Sequence, residues 1–345
     1  MVHSYIKYAK NRAYLLLTIT IAILLTFFIL EISLGSGRVQ GMEALSVLFN
    51  YISGYGCNWC TDEIIVIGYR LPRATLGLSL GIVLGISGVF LQASLRNPLA
   101  EPYLLGIASG AAFGAIIAYI VLPSHLGIYA APIMAALMGI AALALVLTIA
   151  GIAGFTSITI VLAGISISTM FSAVNAILLL QFYEKVKGAH FWFFGTLSTS
   201  TSKYALVSLV IAITLFIIAL FLANHMNALI LGDEIAKTLG IEPSRSKLIL
   251  LCIASISSSI VIAFTGPIGF VGLIAPHIVR LIIGYDHRVL IPLTAIISGS
   301  MILGADLVAR LSIRPSELPL GAITAALGVP FFLYLLIRSR GRYGL

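Results

Sequence analysis

The sequence predicts an all-α polytopic membrane protein with about ten transmembrane helices. Of its 345 residues, 60% are apolar and only 9% are charged, whereas a soluble globular chain carries about 25% charged residues. The apolar residues form long runs instead of short alternating strands, which is typical of helices and not of a closed barrel. This composition excludes an ordinary soluble enzyme and a disordered chain. The net charge of +8 is scattered at the ends of apolar runs, so it does not indicate nucleic-acid binding.

Ten apolar runs are predicted to cross the membrane. A helix needs about 20 apolar residues to span the hydrocarbon core. The longest loop, Gly35–Glu63, is too short for a soluble domain, so residues 1–345 are predicted to form a single transmembrane domain. The predicted spans are Ala13–Leu34, Ile64–Leu95, Ala100–Leu122, Tyr129–Ala150, Ile158–Phe182, Tyr204–Ala223, Leu248–Phe264, Val271–Ile283, Val289–Val308 and Gly321–Ile337.

The distribution of basic residues predicts the orientation. With ten spans and a cytoplasmic N-terminus, twelve of the 20 lysines and arginines face inward, which agrees with the positive-inside rule. Both termini are therefore expected on the cytoplasmic side of a cell (cytoplasmic or inner) membrane. No small-residue cleavage site follows the first apolar run, so we interpret that run as a retained span and not as a signal peptide.

The first loop segment of interest is Leu91–Ala111. Pro98 and Pro102 predict a break in the helix, because each lacks an N–H and restricts the residue before it. Glycines then recur at a four-residue spacing that allows helices to approach closely in lipid; they are Gly106, Gly110 and Gly114. The segment either lines a transport path or is a plain loop followed by a glycine packing face.

A second break is predicted in Thr265–Arg280, where glycines and prolines are dense. This density predicts a turn followed by a short helix. His277 and Arg280 share one face of that helix, at a three-residue offset. His277 is either a proton or metal group or a packed histidine, and the lack of a second ligand nearby favours packing.

The third segment, Asn224–Lys247, is the long polar insert on the inner side. Asp233 and Glu234 at its start and Gly240 at its end are signals for a short helix. Such a helix either docks a cytoplasmic protein or lies on lipid. We favour a protein partner, because anionic lipid would repel the acidic start.

Two features are predicted on the outer side. Arg70 and Arg73 open one span and Arg310 closes another; they either anchor the spans at the interface or form an exposed basic rim that meets acidic side chains of an extracellular protein. Cys57 and Cys60 form a CxxC pair. This pair is interpreted as a metal or redox site, as a local disulfide or as two unpaired thiols, and no second CxxC or nearby His pair completes a zinc site.

Several motifs of catalysis are missing from the sequence. It contains no GxxxxGK[ST] phosphate loop and no HExxH, so we expect a non-enzyme without its own ATPase site. An ion-coupled secondary transporter remains an alternative, and it needs intramembrane ionisable groups. Asp306 is a carboxylate inside a predicted span, and it lies near the outer end of that span. A membrane-embedded enzyme is a further alternative, but the six histidines are dispersed.

Taken together, the motifs resemble the permease subunits of ABC importers that take up iron-siderophores, haem and cobalamin. The resemblance covers nearly the whole chain after about Ile64. The matching stretches are RLPR at Arg70–Arg73, SGVFLQASLRNPLAEPYLLGIASGA at Ser87–Ala111, LAGISIS at Leu162–Ser168, WFFGTL at Trp192–Leu197, LGDEIAKTLGI at Leu231–Ile241, TGPIGFVGLIAPHIVR at Thr265–Arg280 and ELPLGAITAALGVPFFLYLL at Glu317–Leu336.

The resemblance implies a type II importer permease fold with ten spans and a defined set of partners. These are a second permease copy, two cytoplasmic ATPase subunits that bind the ATP, and an extracellular or periplasmic substrate-binding protein, with no cofactor in this chain. The cargo implied is a metal chelate (iron-siderophore, haem or cobalamin), and nothing in the sequence separates these from one another or from an oxyanion. A homodimer is expected because two-fold homodimers are the commonest arrangement.

The resemblance also implies roles for individual residues. Arg70, Arg73 and Arg310 correspond to arginines that receive acidic side chains of the binding protein. Two pairs correspond to the cytoplasmic gate: Asn97 and Leu99, and, by local alignment only, Thr156 and Ser157. The helix that couples to the ATPase corresponds to Leu231, Gly232, Asp233, Glu234, Ala236, Lys237, Leu239 and Gly240.

Overall fold

A computed structural model describes residues 2–35, 37, 39–57, 60–314 and 316–338, and within them all regular structure is helical. The helices are α1 (Val2–Ser33), α2 (Met42–Ile52), α3 (Thr61–Glu63), α4 (Leu71–Leu95), α5 (Ile107–Val121), α6 (Ser124–Ile152), α7 (Ser157–Gln181), α8 (Tyr183–Val186), α9 (Ser202–Leu231), α10 (Asp233–Thr238), α11 (Pro243–Thr265), α12 (Val271–Ile283), α13 (His287–Leu311) and α14 (Leu320–Arg338). A π-helix, Ile64–Arg70, joins α3 to α4.

The all-α fold class is confirmed, and each predicted span coincides with a helix. By length and composition, seven described helical segments can cross a membrane. The remaining three predicted spans fall on shorter apolar helices, namely α5, α12 and α14. Helix α12 has 13 residues and a rise of about 1.5 Å per residue, so it is too short to cross the hydrocarbon core alone. The turn before it must therefore lie within the depth of the bundle.

Helix α4 is the centre of the bundle. Nearly all of its residues are buried, and it packs against α9, α11, α12 and α13. Glycines allow these close approaches: a Cβ at Gly81 would lie 2.7 Å from the backbone of Gly299 on α13, and one at Gly85 would lie 2.7 Å from the Cβ of Ser298. Backbones this close allow van der Waals packing, which holds helices together when lipid provides no hydrophobic driving force.

The outer helices expose apolar side chains. Helices α1, α7 and α9 are the least buried of the long helices. Exposed side chains on α7 include Ile158, Leu162 and Leu180. Because the composition already indicates a bilayer around the chain, these faces meet either lipid or another membrane-embedded chain.

The two predicted backbone breaks are confirmed. Helix α4 ends at Leu95, and the chain then turns through residues 96–101 into a short 3-10 helix at Pro102–Leu105. Helix α11 ends at Thr265, and residues 266–270 lead into α12. The predicted glycine face is also confirmed: Gly110 and Gly114 pack on the α6 backbone at Met138 and Met134.

Candidate functional site

Helix α10 stands at the predicted inner side between the long helices α9 and α11. It is held by Ala236, which is fully buried. The apolar side chains on and beside it are exposed: Ile235 by 47%, Leu231 at the end of α9 by 61% and Leu239 directly after α10 by 60%. Glu234 and Lys237 form an exposed ion pair on the same helix. A short helix that presents apolar side chains beside charged ones has the composition of a docking surface for another protein.

The ends of α10 are fixed by two glycines with positive φ. Gly232 precedes the helix with φ 123°. Gly240 follows it with φ 79°, and the N–H of Ile241 donates to the carbonyl oxygen of Ala236 at 3.0 Å. This is the arrangement of a glycine-terminated helix. The predicted start at Asp233 and stop at Gly240 are both confirmed, so α10 is a defined unit and not a frayed loop.

Asp233 connects α10 to two neighbouring parts of the chain. Its carboxylate pairs with the guanidinium of Arg96, directly after α4, and with the Nζ of Lys247 on α11 at 2.8 Å. Burial raises the pKa of this carboxyl, but the hydrogen bonds and charges of Lys247 and Arg96 outweigh burial and hold the pKa below its usual value. Asp233 is therefore ionised at neutral pH.

Asn97 and Leu99 form a tight turn that begins one residue after Arg96. The side-chain oxygen of Asn97 accepts the N–H of Leu99 at 3.0 Å, and its carbonyl oxygen accepts the N–H of Ala100 at 3.1 Å. This Asx-type turn needs no partner from elsewhere in the chain. It leaves the Leu99 side chain 38% exposed, so an apolar side chain projects from a rigid turn at the predicted inner side.

Thr156 and Ser157 lie at the start of α7. Thr156 caps the helix by accepting the N–H of Thr159 at 3.2 Å, while the Thr159 hydroxyl accepts the N–H of Thr156 at 2.9 Å. This reciprocal pair is a capping box. Thr156 is exposed and Ser157 is half-buried. The local function of Thr156 is thus to begin a helix, which is compatible with a position beside a path.

The segment after Leu99 packs directly on α7. A Cβ at Gly164 would lie 3.1 Å from the carbonyl carbon of Leu104, so the two backbones touch. The side chain of Asn175 donates to the carbonyl oxygen of Ser109 at 2.9 Å. The 3-10 helix and α5, which follow the Asn97–Leu99 turn, therefore pack on α7. Among the described residues, no hydrogen bond joins Leu99 to Thr156.

On the predicted outer side, the arginines are buried in a network of ion pairs. The Arg73 guanidinium makes a bidentate pair with Asp306, at 2.8 and 2.9 Å, and a second pair with Glu317 at 2.9 Å. Arg310 pairs with Glu31 and lies 3.3 Å from Asp306. Paired buried charges satisfy one another's hydrogen-bonding needs, so this network fastens α1, α4 and α13 together near their outer ends.

Arg70 is also buried, but it pairs with backbone. Its guanidinium donates to the carbonyl oxygens of Ile32 at 3.0 Å, Ser33 at 3.1 Å and Val39 at 2.6 Å. The first two carbonyls are at the end of α1, where they have no partner within the helix. Arg70 therefore caps α1 and fixes the chain that leaves it.

The prediction of an exposed basic rim is wrong for these three arginines. Arg70, Arg73 and Arg310 are only 2%, 1% and 4% exposed. The physical reason is that the chain supplies its own acceptors, so the guanidinium groups fold inward instead of facing water. The carboxylates that pair with Arg73 and Arg310 are Asp306, Glu317 and Glu31, which are far from them in sequence apart from the pair Asp306 and Arg310.

Comparisons with known proteins decide the family. The model of the FecCD transport family matches residues 23–338. The chain belongs to the FecCD transport family. It is 42% identical over 280 residues to the cobalamin import system permease protein BtuC of Halobacterium salinarum, an alignment covering 80% of this chain and 74% of that one. It is 34% identical to the hemin transport system permease protein HmuU of Yersinia pestis, covering 92% and 95%.

A solved structure supports the FecCD assignment. It is described as an inward-facing conformation of a metal-chelate type ABC transporter, and it superimposes with a TM-score of 0.79 at 28% identity. The match covers 93% of this chain and 98% of that one. The FecCD chain is thus a multi-pass membrane protein with the permease fold, and the resemblance seen in its motifs is confirmed.

The described cysteine and histidine side chains of this FecCD chain are not gathered into a cluster that could hold a metal ion. Cys57 and Cys60 form a disulfide with a Cα–Cα distance of 5.6 Å, which selects one of the three interpretations of the CxxC pair. His277 is half-buried on α12, three residues before Arg280. Among the described residues, no group of three His, Cys, Asp or Glu side chains could hold a metal ion.

Sequence reasoning missed the partners of the site residues. Glu31, Asp306 and Glu317 are the acceptors of the outer arginines, and Arg96 is the donor that pairs with the carboxylate of Asp233 at the inner end. One signal was available: a charge within a predicted span has to be paired. Glu31 and Asp306 both fall near the outer ends of predicted spans, as the three arginines do. Their shared depth in the membrane indicates that these carboxylates and arginines can pair.

Proposed function

We propose that this chain is the transmembrane permease subunit of a binding-protein-dependent ABC importer that moves a metal chelate inward. ATP would be hydrolysed on a separate ATPase subunit, so the chain itself is a transport subunit without an enzyme site and without a cofactor. The observation that carries this proposal is α10, a glycine-bounded helix with an exposed mixed apolar and charged surface at one end of the bundle. A soluble partner has to meet the bundle there.

The proposed partners follow from the exposed surfaces. Two ATPase subunits would each receive one α10 helix from a two-fold pair of permease copies. The exposed apolar face of α7 would contribute to the contact with the second copy or with lipid. A substrate-binding protein would deliver cargo from outside. Both termini would be cytoplasmic in the cell membrane, with no nucleic acid involved.

Relatives support the class of cargo. The similar chains are named for import of cobalamin and hemin, and another, 33% identical, is an iron(3+)-hydroxamate permease of Bacillus subtilis. We infer a cargo of the same class: an iron-siderophore, haem or cobalamin. Selection among them would rest with the binding protein, which contacts the cargo first.

In the proposed mechanism, α10 acts as a lever. Closure of the ATPases around ATP moves α10, and that movement opens or closes the inner gate at Asn97, Leu99, Thr156 and Ser157. ATP shifts the equilibrium because it binds the two ATPase arrangements with different affinities, and not because it touches the cargo. The secondary-transport alternative depended on Asp306. Its carboxylate is held by Arg73 and Arg310, so it is poorly placed to carry a proton or a cation.

Replacement of the charged residues of α10 tests the lever. In the reconstituted complex, the combined substitutions Asp233→Ala, Glu234→Ala and Lys237→Ala should reduce stimulation of ATP hydrolysis by loaded binding protein by about tenfold or more, since allosteric couplings are typically 5–150-fold. The matched control is Glu184→Ala with Lys187→Ala, an exposed pair on the opposite side of the bundle. Unchanged stimulation in the α10 variant would contradict the lever.

Docking through Arg70, Arg73 and Arg310 remains a prediction, and the buried network changes how it is tested. Acidic side chains of a binding protein would have to compete with the chain's own carboxylates. Glu317 is the most accessible of these, with a 27% exposed side chain. Glu317→Gln should therefore strengthen docking by about threefold to fivefold, which is the scale of one partly exposed ion pair.

Surface plasmon resonance with the immobilised transporter in nanodiscs measures this docking. The matched control is Glu43→Gln, an exposed carboxylate in the first turn of α2 on the same side. If Glu317→Gln binds the binding protein no more tightly than Glu43→Gln does, Arg73 is not a docking residue.

A further inference from the structure

The ion pair between Arg96 and Asp233 joins α10 to the Asn97–Leu99 turn. Arg96 is the residue directly after α4, and Asn97 follows it immediately. Asp233 is the first residue of α10. Arg96 and Asn97 are joined by one peptide bond, so a displacement of α10 reaches that turn through one ion pair and the backbone of Arg96.

The backbone at Arg96 makes this route stiff. Arg96 has φ 48° and ψ 36°, a left-handed conformation that is uncommon for a residue with a side chain. The turn beyond it is closed by its own two hydrogen bonds. Because the turn is a small rigid unit attached to a fixed helix end, force on the Arg96 side chain is expected to rotate the turn as a whole.

Lys247 holds the same carboxylate from the other side. Its Nζ lies 2.8 Å from Asp233 Oδ2, and its side chain is only 14% exposed. Lys247 belongs to α11, so Asp233 is the common partner of the α4 end and of α11. An aspartate that keeps its charge at neutral pH can hold both cations at once.

We propose that Arg96 is a positioning residue that transmits the movement of α10 to the Asn97–Leu99 turn through its ion pair with Asp233. This inference rests on the proposed function, because it assumes that α10 moves with the ATPase and that the turn is a gate. It adds the contact that connects them. Lys247 keeps α11 paired with the same carboxylate during the movement.

The exposure of the pair separates this role from a purely structural one. The side chains of Arg96 and Asp233 are 37% and 38% exposed, and ion pairs at that level of exposure contribute little to stability. Loss of the pair should therefore leave folding and assembly intact while it weakens communication between α10 and the turn.

The experiment measures how accessible the Asn97–Leu99 turn is to a thiol reagent in the full complex of permease, ATPase and binding protein. A thiol is introduced by Leu99→Cys in a Cys252→Ala background, which removes the free cysteine, and its rate of labelling by a methanethiosulfonate reagent is measured with and without a non-hydrolysable ATP analogue. The test variants are Arg96→Gln and Asp233→Asn. Co-purification of the ATPase reports assembly for every variant.

Two further variants provide comparison. Arg96→Lys keeps a cation that can pair with Asp233. Arg288→Gln removes another arginine on the predicted cytoplasmic side. Its Nε donates to Asn224 at 2.9 Å and so bridges α13 and α9. Among the described residues, it makes no hydrogen bond to α10 or to the Asn97–Leu99 turn. We expect the nucleotide-dependent change in labelling to fall about threefold to tenfold in Arg96→Gln and Asp233→Asn, and to persist in Arg96→Lys and Arg288→Gln.

The outcomes distinguish failure of the gate assignment from failure of the role proposed for Arg96. If nucleotide does not change labelling even with Arg96 and Asp233 intact, the gate assignment in the proposed function fails. If nucleotide changes labelling there and equally in Arg96→Gln and Asp233→Asn, the proposed function stands and the inference is overturned. An equal loss in Arg288→Gln also overturns it, because the effect would then not be specific to the contact between α10 and the turn.

Discussion

Replacement of Asp306 by alanine should destabilise the protein by about 3–5 kcal/mol, the usual cost of removing one partner from a buried ion pair. Asp306 accepts two hydrogen bonds from Arg73 and lies 3.3 Å from Arg310, and both arginines are buried. Without this carboxylate, Arg73 would keep only Glu317 as an anionic partner, and Arg310 would keep only Glu31. The outer ends of α1, α4 and α13 would then be held together less firmly.

Thermal denaturation of the detergent-solubilised protein, followed by size-exclusion chromatography, measures this effect. The Asp306→Ala variant should show a markedly lower apparent melting temperature and a lower folded yield. The matched control is Glu184→Ala, which removes an acidic side chain that is 79% exposed on the same side. Equal melting temperatures for the two variants would mean that the buried network does not fasten the helices.

Replacement of Gly88 by alanine should also destabilise the protein, in this case through a steric clash. A Cβ at Gly88 would overlap the carbonyl oxygen of Gly272 and would lie 2.6 Å from its carbonyl carbon. These are backbone atoms, so no side-chain rotation relieves the clash, and α12 has to move away from α4. That movement would also lengthen the 3.1 Å bond from Gln92 to the carbonyl oxygen of Gly272. Overpacking of this kind costs about 1–3 kcal/mol or more.

The matched control for Gly88→Ala is Gly151→Ala. Gly151 lies near the end of α6, and a Cβ there meets nothing within 4 Å. Alanine is favoured over glycine within a helix by about 1 kcal/mol. The melting temperature should therefore fall in Gly88→Ala and should stay the same or rise in Gly151→Ala. If Gly88→Ala behaves like Gly151→Ala, α4 and α12 are not in backbone contact.

The helices could be predicted from the sequence because their signals are local. Proline pairs and glycine spacing located the breaks near Pro98 and Pro267, and the short length of α12 was visible in its apolar run. The bounds of α10 followed from an acidic start and from Gly240. Each of these signals lies within a few residues of the structure that it determines.

The environment of the outer arginines could not be predicted in the same way. Arg73 pairs with residues 233 and 244 positions away, and Arg310 pairs with one 279 positions away. Which distant carboxylate meets which arginine depends on how α1, α4 and α13 pack, and local patterns do not carry that information. The contact of Arg96 with Asp233 was missed for the same reason.

Transport by purified components tests whether this chain is the permease of an ATP-driven importer. The permease is reconstituted in liposomes with its cognate ATPase, and uptake of a radiolabelled metal chelate is measured with loaded binding protein outside and ATP inside. We expect uptake that requires both ATP and a hydrolysis-competent ATPase and that is unaffected by an imposed proton gradient. Uptake at the same rate by the permease alone, driven by a proton or sodium gradient, would contradict it.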